Sequence, residues 1–203
     1  GMAKGSGMIA PNMATMLGFV LCDADVEPDS WQEMLKTCAD ASFNRVTVDG
    51  DTSTNDCILA LANGASKVRI SGREANAALR DALCEMLQAL AYMIVQDAEG
   101  GTKVARITVS GAKSDADADL AARAVGNSPL VKTALFGQDP NWGRIVCAVG
   151  RSGAEFDPDQ VTLALGDIVI FEKGRPADGD LDGVLAPLMR KQDIDIRVSL
   201  GKG

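Results

Sequence analysis

Between residues 74 and 97 the chain carries Leu79, Leu83, Met86, Leu87, Leu90, Met93 and Ile94 at helical spacing, and Gly100-Gly101 marks the stop. No other periodic segment in the sequence is as long, and an apolar stripe of that length has to be buried against other elements. Candidates lie on both sides of it. Residues 15–22, TMLGFVLC, form a near-continuous apolar run of strand length, after which Asp29 and Ser30 can cap a helix with Trp31, Met34, Leu35 and Cys38 on one face. Val46 and Val48 end a short strand at the polar turn DGDTSTND; CILALAN then reads as a buried strand and residues 66–70 as another. Beyond Gly101, Ala105, Ile107 and Val109 alternate with polar residues as in a half-buried strand. A helix capped at Ser114 runs to Val125, and a shorter one follows Pro129. The last third offers strands at 145–149, 161–165, 167–171 and 194–200, with a helix around 181–191. Strands and helices intermingle without a regular βαβ rhythm, so the expected class is α+β with mixed layers rather than a doubly wound parallel sheet.

Two hundred and three residues, 46% of them apolar, can bury an ordinary core as one large or two small domains. Twenty basic against 28 acidic residues give a net charge of -8, which argues against a surface for nucleic-acid phosphates or an anionic membrane. A small polar substrate fits better. There is no apolar run near the length of a membrane span and no basic leader, and the five cysteines lack zinc-knuckle or CxxC spacing. They read as buried thiols of a reducing cytoplasm rather than a disulfide frame.

The chain contains no histidine. A Ser-His-Asp triad, an HExxH zinc site and an imidazole base are therefore excluded, and proton transfer must come from carboxylates, lysine or a chain terminus. The glycine-rich KGSG at residues 4–7 lacks the order of a phosphate-binding loop. Asp178, Asp180, Asp182 and Gly183 match half of a calcium loop, but the twelfth position is Met189, so a solvated turn before a helix is the better reading. Asp115, Asp117 and Asp119 are the acidic start of a helix. No metal ligand set is expected.

Ala14-Thr15 is a stronger candidate, because a small residue before a threonine at the edge of an apolar strand suits peptide-bond rearrangement. If the Thr15 hydroxyl attacks the Ala14 carbonyl, an N-to-O acyl shift gives an ester whose hydrolysis leaves Thr15 as a new chain start. Its free α-amine, with a pKa of about 7.7 to 8.0, is the base that a histidine-free chain otherwise lacks.

The string around it, KGSGMIAPNMATML, resembles the self-cleavage segment of the ornithine acetyltransferase family, also called glutamate N-acetyltransferases. Three further blocks resemble the same family in the same order: FNRVTVDGDTSTND at 43–56, VQDAEGGTK at 95–103 and FGQDPNWGRI at 136–145. The resemblance implies a precursor that cuts itself before Thr15, so that residues 1–14 are the end of an α chain and residues 15–203 a catalytic β chain. It implies acetyl transfer from N-acetylornithine to glutamate through an acetyl-enzyme, in arginine biosynthesis, with Thr15 as nucleophile and Lys4, Thr15 and Glu99 on the substrate. It calls for no metal or prosthetic group, leaves acetyl-CoA open as a co-substrate, and implies cytoplasmic assemblies of two α and two β chains.

By the same resemblance, a Thr-Gly pair like an oxyanion hole belongs to the α chain ahead of residue 1, and an Asn and a hydroxyl residue that bind substrate lie beyond Gly203. Glu99 is electrostatically odd where it stands, since a helix C-terminus and Asp97 both disfavour a carboxylate. Asp49, Asp51, Asn55 and Asp56 read as a turn whose side chains bond the backbone, and Asn141, Trp142 and Arg144 as structural. Two other functions stay open at this point. One is a related N-terminal-nucleophile amidohydrolase or aminopeptidase that passes the acyl group to water; the other is a non-catalytic small-molecule or calcium-binding protein using the turn at 178–183.

Overall fold

A computed structural model describes residues 1–10 and 16–201, which fall into two units, Gly1–Gly101 and Thr102–Gly203. In the first unit β1 (Met2–Lys4) lies antiparallel to β2 (Leu17–Cys22). Helix α1 (Pro28–Asp40) then crosses over, so that β3 (Cys57–Ala62) returns parallel to β2, with Leu17 opposite Cys57 and Cys22 opposite Ala62. The unit closes with α2 (Gly72–Gln96), the helix anticipated by the apolar stripe. Leu83, Leu87, Ala91 and Ile94 of α2 and Trp31, Met34, Leu35 and Cys38 of α1 join Ile9, Met16, Val20 and Phe43 in one buried cluster.

Several local expectations are corrected here. The cap of α1 is Glu27, whose carboxylate accepts from Ser30 N at 3.0 Å, while Pro28 takes the first helical position and Asp29 the first turn. No strand forms over Val46 and Val48; a 3-10 turn at Phe43–Arg45 is tied to the end of α1 by Asn44 Nδ2 to Asp40 Oδ1 and Arg45 Nε to the Asp40 carbonyl. Residues 66–70 contribute only a bridge between Asp25 and Arg69, because Ser66 Oγ accepts from Val68 N and bends the chain.

The cysteine reading is also overturned. Cys38 and Cys84 form a disulfide with Cα atoms 4.6 Å apart, Cys57 and Cys147 are exposed, and Cys22 is half-buried. Cys38 and Cys84 each lie on the inward side of a helix, and the packing of α1 on α2 brings together residues 46 apart in sequence. Sequence spacing carries no trace of that proximity. The argument for a reducing compartment from five free thiols is lost with it.

The second unit is a five-stranded sheet. It runs from β4 (Val104–Ser110) through helices α3 (Asp115–Gly126), α4 (Pro129–Phe136) and α5 (Trp142–Gly150) to β5 (Thr162–Leu165) and β6 (Ile168–Glu172). The two-residue β7 (Arg175–Pro176), helix α6 (Asp182–Met189) and β8 (Asp193–Ser199) complete it. The strand order is β4-β8-β5-β6-β7, with β4 and β8 parallel and the remaining pairs antiparallel. Ile194, Ile196 and Val198 of β8 sit in the core with Leu163, Leu165, Val125 and Met189. Both units mix helices with parallel and antiparallel pairs, the α+β class expected.

Here the strand expected at 145–149 is instead the middle of α5. Its apolar run looks continuous, but the buried residues are Ile145, Ala148 and Val149, a helical spacing, and the Asn141 side chain caps the helix by accepting from Arg144 N at 3.0 Å. The acidic start of α3 is as expected: Ser114 Oγ accepts from Asp117 N, and Asp119 pairs with Arg123 one turn on at 2.6 Å. At the head of α4, Ser128 is buried and accepts from Val131 N, with Pro129 behind it. Ser128→Ala removes that acceptor, and the expected cost is about 1 kcal/mol, read as a shift in the denaturant midpoint at unchanged slope.

Candidate active site

In the first unit the N-terminal segment runs past the C-terminal end of α2 and borders an open groove of about 1010 Å³. Lys4 on β1 and Glu99 just beyond α2 both line it, with Asp49, Asp97 and Gln96 as further polar lining. The structure thus brings together two of the residues singled out in the sequence. Three carboxylates and one lysine give the groove an acidic balance, suited to a ligand with an ammonium group and at least one anionic end.

Local backbone bonds explain why Lys4 and Glu99 share this groove. Helix α2 ends at Gln96, one residue earlier than expected, with Asp97 N returning to the Met93 carbonyl and Ala98 N to the Val95 carbonyl. Glu99 N then donates to the Ser6 carbonyl at 2.9 Å, fastening the end of α2 to the KGSG loop two residues beyond Lys4. Gly7 lies directly under the Glu99 carboxylate: a Cβ there would stand 2.9 Å from Glu99 Oε2. Glycine therefore makes room for the carboxylate, a use of KGSG unrelated to phosphate binding.

The loop continues through Met8, which holds φ 57, a left-handed conformation that costs a side chain of this kind about 1 to 3 kcal/mol. The Asp49 carboxylate offsets that cost. It accepts from Met8 N at 2.6 Å and Ile9 N at 3.1 Å, two successive amides turned to one side. Ile9 itself is fully buried, and its carbonyl accepts from Val48 N.

Ala14 and Thr15, the proposed cleavage pair, lie outside the described residues. On the far side of them Met16 is buried, its N–H donates to Asp56 Oδ1, and its carbonyl accepts from Cys57 N at 3.0 Å. The turn DGDTSTND does contain local side-chain bonds, Asp51 N to Asp49 Oδ1 and Asn55 N to Ser53 Oγ. Its first and last aspartates, however, reach a segment 40 to 41 residues away, which the sequence reading missed. The parallel pairing of β2 and β3 makes the residues leading into each strand neighbours as well, and that pairing is not written in either run by itself.

The other candidates belong to the second unit. Asn141 caps α5, Trp142 stacks on Phe171 with ring centroids 5.3 Å apart, and Arg144 donates to the Leu130 carbonyl and Thr133 Oγ1, all within the second unit. In the turn before α6, Asp180 accepts from Asp182 N at 3.1 Å, and among the described residues no group of three or more acidic or cysteine side chains is placed to hold a metal ion. No helix among the described residues is long and apolar enough to cross a membrane.

The N-terminal loop and the end of the long helix thus give this α+β chain an acidic groove. The ArgJ family model matches residues 1–203, and the chain belongs to the ArgJ family. It is 55% identical over its whole length to the arginine biosynthesis bifunctional protein ArgJ of Nitratidesulfovibrio vulgaris, covering 51% of that protein. Against the ArgJ of Geobacter sulfurreducens it is 49% identical, covering 52%, and against the chloroplastic ArgJ of Oryza sativa 48%, covering 45%. The chain therefore spans about half the length of the curated relatives it matches. The crystal structure of the arginine biosynthesis bifunctional protein ArgJ from Bacillus halodurans superposes with a TM-score of 0.88 at 37% identity, over 93% of this chain and 90% of that one.

Proposed function

We propose that this chain is the catalytic β part, with the end of the α part still attached, of an enzyme of arginine biosynthesis that moves acetyl from N2-acetylornithine to glutamate. The observation that carries the reading is the family match over residues 1–203, a span that includes ATML and the groove residues Lys4 and Glu99. In the precursor, Thr15 Oγ attacks the Ala14 carbonyl carbon, the peptide C–N bond breaks as the ester forms, and water then splits the ester into an Ala14 carboxylate and a free Thr15. The new α-amine takes the hydroxyl proton when Thr15 Oγ attacks the acetyl carbonyl, and that proton leaves with the ornithine α-amine. Glutamate's amine attacks the acetyl ester in the second half-reaction, releasing N-acetylglutamate and restoring the hydroxyl. Lys4 pairs with a substrate carboxylate and Glu99 with an ammonium group.

Acetyl-CoA as a second donor would use the same acetyl ester. The oxyanion hole and the remaining substrate contacts fall to residues of the whole protein outside this chain. A feature of the first unit supports an α-chain partner: Phe19, Leu21, Leu59 and Leu61 make an exposed apolar stripe on one face of β2 and β3, Leu21 being 71% exposed. Pairing of two αβ units into a heterotetramer, and a cytoplasmic location, rest on the resemblance alone.

Intact masses of the complete protein test the first step, with two fragments expected that meet at Ala14-Thr15. Incubation with N-acetylornithine tests the second. Acetyl transfer to added glutamate is the expected result, whereas acetate release that ignores glutamate would make the protein a hydrolase, and a calcium-dependent heat in titration with neither reaction would make it a binding protein. Gly7→Ala follows from the same geometry: its φ is ordinary, so the backbone tolerates alanine, but the Glu99 carboxylate must move aside. The expected outcome is a rise in KM of roughly three- to tenfold with normal precursor cleavage.

A further inference from the structure

The segment that carries Ala14-Thr15 is flanked by two buried anchors, Ile9 and Met16, and each is tied by an aspartate from the same turn. Asp49 accepts from Ile9 N and Asp56 from Met16 N, both at a sequence separation of 40. The β2–β3 ladder begins immediately afterwards at that same separation, Leu17 opposite Cys57. The two carboxylates therefore keep, at Ile9 and at Met16, the 40-residue offset of the parallel pair ahead of its first rung. Backbone bonds bracket them, Val48 N to the Ile9 carbonyl and Cys57 N to the Met16 carbonyl.

We propose that Asp49 and Asp56 are positioning residues for self-processing, holding both flanks of the cleavage segment in register so that the Thr15 hydroxyl meets the Ala14 carbonyl. The inference rests on the self-cleavage reading given above. An intramolecular acyl shift is fast only when the reacting atoms are held near 3 to 3.5 Å in the right orientation, so freedom in the flanking chain translates directly into lost rate. A carboxylate suits the task because it only accepts, and its bonds to backbone N–H are charge-assisted. Asp49 uses both oxygens on Met8 and Ile9, and its Oδ1 also holds Asp51 N, which stiffens the turn it belongs to. Asp56 acts one residue after the nucleophile, on the N–H of Met16. Neither aspartate takes part in bond making.

The test is the rate at which the fragment beginning at Thr15 appears during cell-free synthesis of the complete precursor, followed by intact mass. Asp56→Ala should slow it by about tenfold or more, and Asp49→Ala likewise. Asp56→Asn should restore the rate to within about threefold of wild type, because its amide oxygen still accepts from Met16 N–H; a purely stabilising role would give no such rescue at equal melting temperature. Asp49 is exposed, so Asp49→Ala keeps the test standing if Asp56→Ala fails to fold. Wild-type cutting together with undiminished cutting in the folded alanine variants overturns the inference alone, as does an Asp56→Asn precursor as slow as Asp56→Ala. A wild-type precursor that stays whole overturns the self-cleavage reading, and the inference falls with it.

Discussion

Thr15→Ala in the complete protein is expected to leave the precursor as one uncut chain and to remove acetyl transfer entirely. Alanine keeps the small shape of the position but has no hydroxyl, so neither the acyl shift nor the acetyl ester can form. The uncut chain also keeps the Thr15 nitrogen in a peptide bond, and a peptide nitrogen is no base. On the reading proposed above, one substitution thus removes nucleophile and base together. Thr15→Ser should retain part of both activities, since it loses only the methyl that restricts the rotamer. The check is the intact mass of each variant with an assay of acetyl transfer on the same preparation. Cleavage persisting in Thr15→Ala would remove the nucleophile assignment outright.

How much of the fold is visible in the sequence depends on whether its signals are local. Helix α2 is written in its own periodicity, α3 and α4 in Ser114 and Ser128 with Pro129, and β4 in its strict alternation. Helix α5 is ambiguous locally, because a short apolar run serves a buried strand or a helix equally well until the Asn141 cap is weighed. Val46 and Val48 show the opposite failure: β-branched residues suggest a strand, but Val48 spends its N–H on a loop carbonyl rather than in a sheet. The Cys38–Cys84 bond could not be read at all, since it depends on how two helices pack.

The candidate site divides along the same line. Thr15, Lys4 and Glu99 stand out through their neighbours in sequence, and the electrostatic oddity of Glu99 is a local signal. What brings Lys4 and Glu99 to one groove is not local, because it is one backbone bond from Glu99 to Ser6 and the missing side chain of Gly7. Likewise Asp49 and Asp56 look like ordinary turn formers, and their reach across to Met8, Ile9 and Met16 appears only once β2 and β3 are paired. A polar turn between two apolar runs can serve itself or its neighbour, and sequence alone does not distinguish the two.

The second large effect is expected at Glu99, which lines the groove while its backbone N–H is already committed to Ser6. Glu99→Gln leaves that backbone bond and the size of the side chain in place, so the loop and Lys4 should keep their positions. Only the negative charge is lost. If Glu99 pairs with a substrate ammonium group, KM should rise by an amount corresponding to about 1.5 to 3 kcal/mol, the range for a hydrogen bond to a charged group, or roughly ten- to 150-fold. Precursor cleavage should proceed at the wild-type rate, because it involves no external amine. The loss should also exceed that of Gly7→Ala, which displaces the same carboxylate without removing its charge. Steady-state kinetics in both half-reactions, with cleavage followed in parallel, make the comparison: unchanged KM would leave Glu99 with only the structural role of fastening the chain after α2 to Ser6, and blocked cleavage would assign it to self-processing instead.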